Sequence, residues 1–307
     1  MKKNVLILGG NGFIGANLCN HIDKESYNVF SFDIVSPERQ NKDITYISGD
    51  FFDDATLKKT AEGMDIIFHA ISTVNPGNSN SQYMRGYEKD FIQTIRLCEL
   101  ANEQNSKMIF LSSGGTVYGE QSIQPIREDA CPKPINHYGN IKLCIENTIR
   151  TFNIQKNASF LVARISNPYG PGQDFNKGVG FIDAATKKAI SGETIEIWGD
   201  GTTERDYIYI DNACDMLCAM MEYEGNEHTF NIGSNYGCNQ RQILSILRKL
   251  GLDVKVEYKP ARSVDVHRII LDNHRIMGIC KEKIITIDEG IKRYYNYLTG
   301  NKDLIEE

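Results

Sequence analysis

The chain has 307 residues, a formal net charge of −6, 41% hydrophobic residues and 24% charged ones. A pI near 5.6 argues against a general nucleic-acid partner, which would call for a basic field, and no run approaches the roughly 18 apolar residues of a membrane span. The balance is that of a water-soluble globular protein with room for one large domain or two modest ones.

Met1-Lys2-Lys3 precedes a four-residue apolar run, Val5-Leu6-Ile7-Leu8. That run is too short for a signal-peptide core but suits a buried parallel strand. Gly9-Gly10-Asn11-Gly12-Phe13-Ile14-Gly15 follows at once, then a segment of helical character from Ala16 to Ile22. Glycines at 9, 12 and 15 permit a tight turn, close approach of backbone to a pyrophosphate, and close helix–strand packing. The helix N-terminus offers free N–H groups and the positive end of its dipole. A second strand, Tyr27 to Phe32, ends in Asp33. A carboxylate at that strand end accepts from both adenosine ribose hydroxyls and repels a 2′-phosphate, which points to NAD rather than NADP.

Further strands are predicted at 44–47, 65–70, 107–111 and 159–165, with helices near 54–62, 83–104 and 138–154. This alternation argues a parallel sheet covered by helices on both faces. Ligands of such sheets sit at the carboxyl ends of the strands, where Gly12, Asp33, Asp50, Ala70, Ser113 and Asn167 all fall. A Pro/Gly-rich turn at Asn167–Gly172 opens a second region. It is read as a helix at 179–191, a strand at 194–198, a turn at Gly199-Asp200-Gly201, a helix near 212–224 and a strand at His228–Ile232. The eight cysteines are scattered without a Cys-x-x-Cys pair. Free thiols, no metal and a cytoplasmic setting are therefore expected.

Tyr138 and Lys142 lie at i, i+4 in the predicted helix 138–154, so their side chains share one helix face. An ammonium beside a phenol favours the phenolate and is expected to lower the Tyr138 pKa. Such a tyrosine exchanges a proton with a sugar hydroxyl.

Taken together, Gly9-x-x-Gly12-x-x-Gly15, Gly49-Asp50, His69-Ala70, Ser112-Ser113-Gly114-Gly115-Thr116-Val117-Tyr118-Gly119, Tyr138-x-x-x-Lys142, Asn167-Pro168-Tyr169-Gly170-Pro171-Gly172, Gly199-Asp200-Gly201, Arg205-Asp206-Tyr207 and Arg262 with Asp265 resemble an extended short-chain dehydrogenase/reductase of the NAD-dependent epimerase/dehydratase family. Within it, the chain looks most like UDP-glucose 4-epimerases. The resemblance implies a Rossmann-type doubly wound α/β fold. A NAD-binding domain would span 1–166, with a return segment at about 212–235, and 167–307 would form mainly a smaller nucleotide-sugar lobe. It implies NAD contacts at Gly9, Gly12, Phe13, Ile14, Gly15, Asp33, Asp50, Phe51, Ala70 and Lys142, and substrate contacts at Asn167, Arg205, Tyr207, Arg262 and Asp265. His69 is read as a structural residue at a strand end.

One departure from the family pattern concerns the third catalytic group. The family's hydroxyl-bearing Ser or Thr falls on Gly114, so Thr116, or Ser113 as the fallback, is expected to supply it. The 4,6-dehydratase branch carries an Asp-Glu pair where this chain has Gly115-Thr116, which argues against elimination. The expected activity is 4-epimerisation of a nucleotide-diphospho-hexose. A 4-ketoreductase of a nucleotide-linked 4-keto-6-deoxyhexose is the alternative, favoured by Gly114 and the unusual Ile71–Pro76 segment. A non-catalytic scaffold is disfavoured by the presence of both Tyr138 and Lys142. Relatives pair the helices matching 83–104 and 138–154 between subunits, so a homodimer is expected.

Overall fold

The computed structural model describes residues 2–174, 180–261 and 266–301. Its centre is a seven-stranded parallel sheet. The chain forms β1 (Lys3–Leu8), α1 (Phe13–His21), β2 (Tyr27–Asp33), β3 (Ile44–Ser48), α2 (Asp54–Ala61) and β4 (Ile66–His69). It continues as α3 (Tyr83–Arg85), a π-helical turn (Gly86–Phe91), α4 (Ile92–Glu103), β5 (Lys107–Ser113), α5 (Gly114–Val117), α6 (His137–Lys156) and β6 (Leu161–Ile165). Alternate residues of β1 face opposite sides. Val5 and Ile7 pack with Leu18, Ala213 and Leu217, whereas Leu6 and Leu8 pack with Leu57, Leu97, Ile141 and Ile145. Burial on both faces explains why the strand reads as an unbroken apolar run.

After β6 come β7 (Asn167–Tyr169), α7 (Phe181–Ser191), β8 (Ile195–Trp198), β9 (Glu204–Tyr209) and α8 (Ile210–Met221). β10 (Thr229–Ile232) then returns to the main sheet and pairs with β6, giving the order β10-β6-β5-β4-β1-β2-β3. The order reverses between β1 and β4, the switch point at which doubly wound sheets open a ligand crevice. The remaining elements are β11 (Gly237–Asn239), α9 (Gln240–Lys249), β12 (Val256–Lys259), β13 (Arg268–Ile269), α10 (His274–Met277) and α11 (Ile287–Thr299). β7, β9, β11 and β13 form a second sheet and β8 pairs with β12. Tyr169, Ile197, Tyr207, Leu244 and Tyr294 build a separate apolar core there.

The helix expected to run unbroken over 83–104 contains the π-turn Gly86–Phe91. π-turns inside helices frequently mark functional sites, and this one holds Asp90 buried. α6 starts cleanly, because the Asn136 side chain accepts from the Gly139 amide, and ends on Asn157 in the left-handed region. Its inner face carries Tyr138, Lys142 and Glu146 in line. The third of these is tied to β6: Arg164 donates from Nη2 to Glu146 Oε2 at 2.7 Å and from Nε to both carboxylate oxygens at 3.1 and 3.2 Å. Both side chains are almost wholly buried.

Breaking one partner of such a pair strands the other charge in a dry interior and typically costs about 3–5 kcal/mol. Arg164→Met is accordingly expected to lower the urea midpoint sharply. The double variant Glu146→Met/Arg164→Met should recover a large part of that loss. Equal destabilisation in single and double variants would show that the charge pairing is not what holds α6 to β6.

Candidate active site

At the end of β1 the chain turns through Gly9 at φ +87°, whose amide donates to the Phe32 carbonyl at 2.9 Å. A Cβ on Gly15 would lie 2.1 Å from the Gly9 carbonyl oxygen, so only glycine lets α1 approach this turn. No side chain caps Gly12 at the head of α1, which leaves the dipole end and the amides of Phe13 and Ile14 for a ligand. Asp33 lies beside the turn, with Oδ2 accepting from the Asn11 amide at 3.0 Å and Oδ1 from the Ile34 amide at 2.8 Å. Ala70 follows β4 and donates from its amide to the Leu8 carbonyl at 2.9 Å. Asp50 is exposed and accepts from the Phe52 amide at 2.9 Å. Phe51 departs from a simple contact reading. Its ring is core, packed 5.2 Å from the His69 ring, and its carbonyl accepts from Gln93 Nε2 at 2.8 Å.

Across the switch point, Lys142 is 4% exposed. Its Nζ donates to the Leu111 carbonyl at 2.9 Å, sits 4.6 Å from the centre of the Phe110 ring and 5.6 Å from that of Tyr138. An ammonium has three donors, and among the described residues only the Leu111 carbonyl receives one. The pair is formed, but its electrostatics differ from the sequence expectation. Burial pushes the Tyr138 phenol above its ordinary range, with the Asp90 carboxylate adding to the effect. The protein by itself does not tune this phenol downward. Lys142 is lowered to about 8 by burial, against which Asp90 and Glu146 hold the proton on. His69 is lowered to about 3 by burial and by Lys142, so it is neutral, with Nε2 3 Å or less from Thr94 Oγ1, at 2.8 Å.

A side chain at Gly114 would need Leu271 to give way. A Cβ there would meet Leu271 Cδ1 at 2.5 Å and the Arg164 carbonyl oxygen at 3.1 Å. Thr116 turns its hydroxyl back to the Ser113 carbonyl at 3.4 Å. Ser113, half-buried at the end of β5, makes no side-chain hydrogen bond among the described residues. An ideal Cβ on Gly115 would lie 3.8 Å from Asn167 Oδ1, and Asn167 lines a cavity of about 260 Å³ together with Phe181, Trp198, Arg205, Tyr207 and Gln240. Asn167, Arg205 and Tyr207 thus share one cavity next to the loop carrying Ser113 and Thr116. Arg262 and Asp265 lie outside the described residues.

The family model described as "NAD dependent epimerase/dehydratase family" matches residues 5–233. The chain belongs to that family. It is 30% identical to the dTDP-4-dehydro-6-deoxyglucose reductase of Escherichia coli over 95% of this chain and 96% of the relative. A putative UDP-glucose 4-epimerase of Methanocaldococcus jannaschii is 26% identical, over 97% and 99%. Among solved structures, the UDP-glucose 4-epimerase of Thermotoga maritima with UDP-glucose superposes with a TM-score of 0.90 at 28% identity, covering 97% of this chain and 99% of the other. NAD is the cofactor of this family, and the residues present fit it. The uncapped helix end suits a pyrophosphate, Asp33 suits a ribose diol, and the unspent donors of the buried Lys142 suit a second ribose.

Asp90 is a member of this site that the sequence pattern does not reveal. Its carboxylate accepts from Ser72 Oγ at 2.9 Å and from the Thr73 amide at 2.8 and 3.0 Å, and it bears on both Tyr138 and Lys142. The sequence carries no advance signal for it, since Asp90 follows Arg85, Glu88 and Lys89 in the same helical stretch. The charged and titratable groups around the pair are Asp90 on the π-turn, Glu146 on α6 and the neutral His69 on β4.

Because the Lys142 proton is lost as pH rises through about 8, turnover should decline above that pH. Asp90 raises both the Tyr138 and Lys142 values, so Asp90→Asn, which keeps an acceptor for Thr73, should move both limbs of the kcat/KM profile to lower pH. A profile that loses height without moving would leave Asp90 a purely structural role.

Proposed function

We propose that the enzyme is a 4-epimerase of a UDP-linked hexose, oxidising C4 transiently and reducing it again from the opposite face. The observation that carries this reading is the placement of Tyr138 and the buried Lys142, with donors still unspent, against β5, the strand that neighbours β4 at the switch point. A cavity lined by Asn167, Arg205 and Tyr207 adjoins the loop after β5, where a Cβ on Gly115 would lie 3.8 Å from Asn167 Oδ1. The likeness to the Thermotoga enzyme with UDP-glucose supports the same substrate class.

Bound NAD supplies the hydride acceptor and the hydride donor of the cycle. Tyr138 removes the proton of the sugar 4-OH and later returns it to the same oxygen, so the net reaction is inversion at C4 with no net oxidation. The Lys142 charge stabilises the phenolate while it exists, an effect felt most where charge develops. Of the two candidate hydroxyls, Ser113 is the better placed, since Thr116 already spends its proton on the Ser113 carbonyl. The guanidinium of Arg205, with Arg262 and Asp265, would hold the diphosphate and ribose while the hexose turns over. Exposed Tyr83, Met84, Ile92 and Ile154 on α3, α4 and α6 offer the face for a second copy of the chain. Light scattering should then give twice the 34.7 kDa chain mass, and a monomer at micromolar concentration would refute that face.

A second reading, reduction of a nucleotide-linked 4-keto-6-deoxyhexose, is favoured by the 30% identity to the Escherichia coli reductase. The two differ in whether the cofactor stays bound. Denaturing the purified protein should release stoichiometric NAD, and UDP-galactose should be converted without added cofactor. An empty site, with NADH consumed only in the presence of a 4-keto sugar, would decide for the reductase.

Tyr138→Phe should retain NAD and lose turnover by about 10²–10⁴-fold, the usual worth of a positioned acid–base group. Ser113→Ala should slow turnover more than Thr116→Val. Unimpaired Tyr138→Phe would remove the acid–base assignment, and the reverse order of the other two would return that role to Thr116.

A further inference from the structure

Tyr138 is the second residue of α6, so the acid–base group rides on the turn of a helix that frays most readily. Two amides of that turn are nevertheless held. Gly139 donates to the side chain of Asn136, the local cap, at 2.8 Å. His137, the residue immediately before Tyr138, donates from its amide to Asn80 Oδ1 at 3.2 Å, a partner 57 residues earlier in the chain. A backbone amide can only donate, so the carboxamide atom facing it is the oxygen and not the nitrogen. The same residue is gripped by its ring, which stacks on Tyr83 with centroids 4.6 Å apart and planes inclined by 23°.

Asn80 is presented by a stiff segment. The chain between β4 and α3 is fixed at its root, where Ser72 Oγ and the Thr73 amide donate to the Asp90 carboxylate. Further on, Asn75 Oδ1 accepts from the amides of Gly77 and Asn78 at 2.8 and 3.1 Å, and the Asn75 amide donates to Asn78 Oδ1 at 2.8 Å. Val74, between these two anchors, is buried in the core that holds Ile141 and Ile145 of α6. On the other side of Tyr138, a Cβ on Gly139 would lie 2.6 Å from the Thr116 carbonyl oxygen. The first turn of α6 therefore lies backbone to backbone against the turn that carries the candidate hydroxyls. The two neighbours of Tyr138 are docked on two different loops, one after β4 and one after β5.

We propose that Asn80 is a positioning residue for Tyr138: by holding the His137 amide it sets where the phenol stands relative to Lys142 and to the hydroxyls of the β5 turn. This rests on the acid–base role of Tyr138 given above and adds to it the residue that fixes its place. A misplacement of about 1 Å costs on the order of 10²-fold in rate. Asn80 itself is exposed, so its removal opens no cavity in the core, and an effect on rate can be separated from one on stability.

The test is a double-mutant cycle on the full-length protein with its NAD. Turnover is measured on whichever sugar nucleotide the wild type converts, UDP-galactose or a nucleotide-linked 4-keto-6-deoxyhexose with NADH. Asn80→Ala should lower kcat about tenfold with KM and NAD content unchanged, and Asn80→Asp, which keeps an acceptor for the His137 amide, should restore most of the rate. In the Tyr138→Phe background Asn80→Ala should cost nothing further, because the hydroxyl it positions is gone. Unchanged kcat in Asn80→Ala, no recovery in Asn80→Asp, or an equal loss in both backgrounds would each overturn the role of Asn80 alone. Full turnover by Tyr138→Phe, or a wild type that converts neither substrate, would overturn the acid–base reading and the positioning role with it.

Discussion

A lysine ammonium kept out of water is the most demanding group in this fold, and much of its surroundings can be understood as keeping it charged. Burial alone would strip the proton from Lys142. Opposing that are the Leu111 carbonyl, the Phe110 ring face and the carboxylates of Asp90 and Glu146. Each has requirements of its own. Asp90 is fixed by Ser72 and Thr73, while Glu146 is matched by Arg164 and accepts from Ser112. Arg164 lies 4.7 Å from the centre of the Tyr118 ring, whose hydroxyl donates to Asn231 Oδ1 at 2.7 Å. Asn231 in turn donates to the carbonyls of Ile126 and Asp272. One charge is thereby coupled, through a continuous polar chain, to β10 and to the segment that crosses back from the C-terminal lobe.

The main architecture was legible in the sequence because its elements obey local rules. Apolar runs such as Val5–Leu8 are bounded by glycine, and helices such as α6 begin at a capping asparagine. That Tyr138 and Lys142 share a helix face could be read from their spacing, and their reading as a site came from the glycine-rich turn and the other motifs around them. Their ionisation could not, since it depends on burial and on Asp90, which comes near only after the chain has folded. Spacing suggested a phenol tuned downward; desolvation and the Asp90 carboxylate push it up instead. The π-turn was equally hidden, because hydrophobic periodicity does not distinguish it from a regular helix. Gly114 was visible as a departure, but the neighbour it faces, Leu271, comes from the opposite end of the chain.

The C-terminal lobe carries its own lesson about polar accounting. Asp206 is wholly buried and accepts from the amides of Ser234 and Leu271 and from the Ser234 hydroxyl. Burial raises it to about 6 against those bonds. It holds the loop after β10 against β9, and so fixes one side of the cavity without entering it.

The strand β10 has a consequence for how the protein can be divided. Because it returns to pair with β6 after the second lobe has begun, the two lobes are not successive beads on the chain. A fragment ending near residue 166 would leave Leu161–Ile165 as an uncovered apolar edge, a ready template for intermolecular pairing. The cofactor half of this molecule is therefore not a severable module, and shuffling it onto another partner would have to carry a strand from the far side of the boundary.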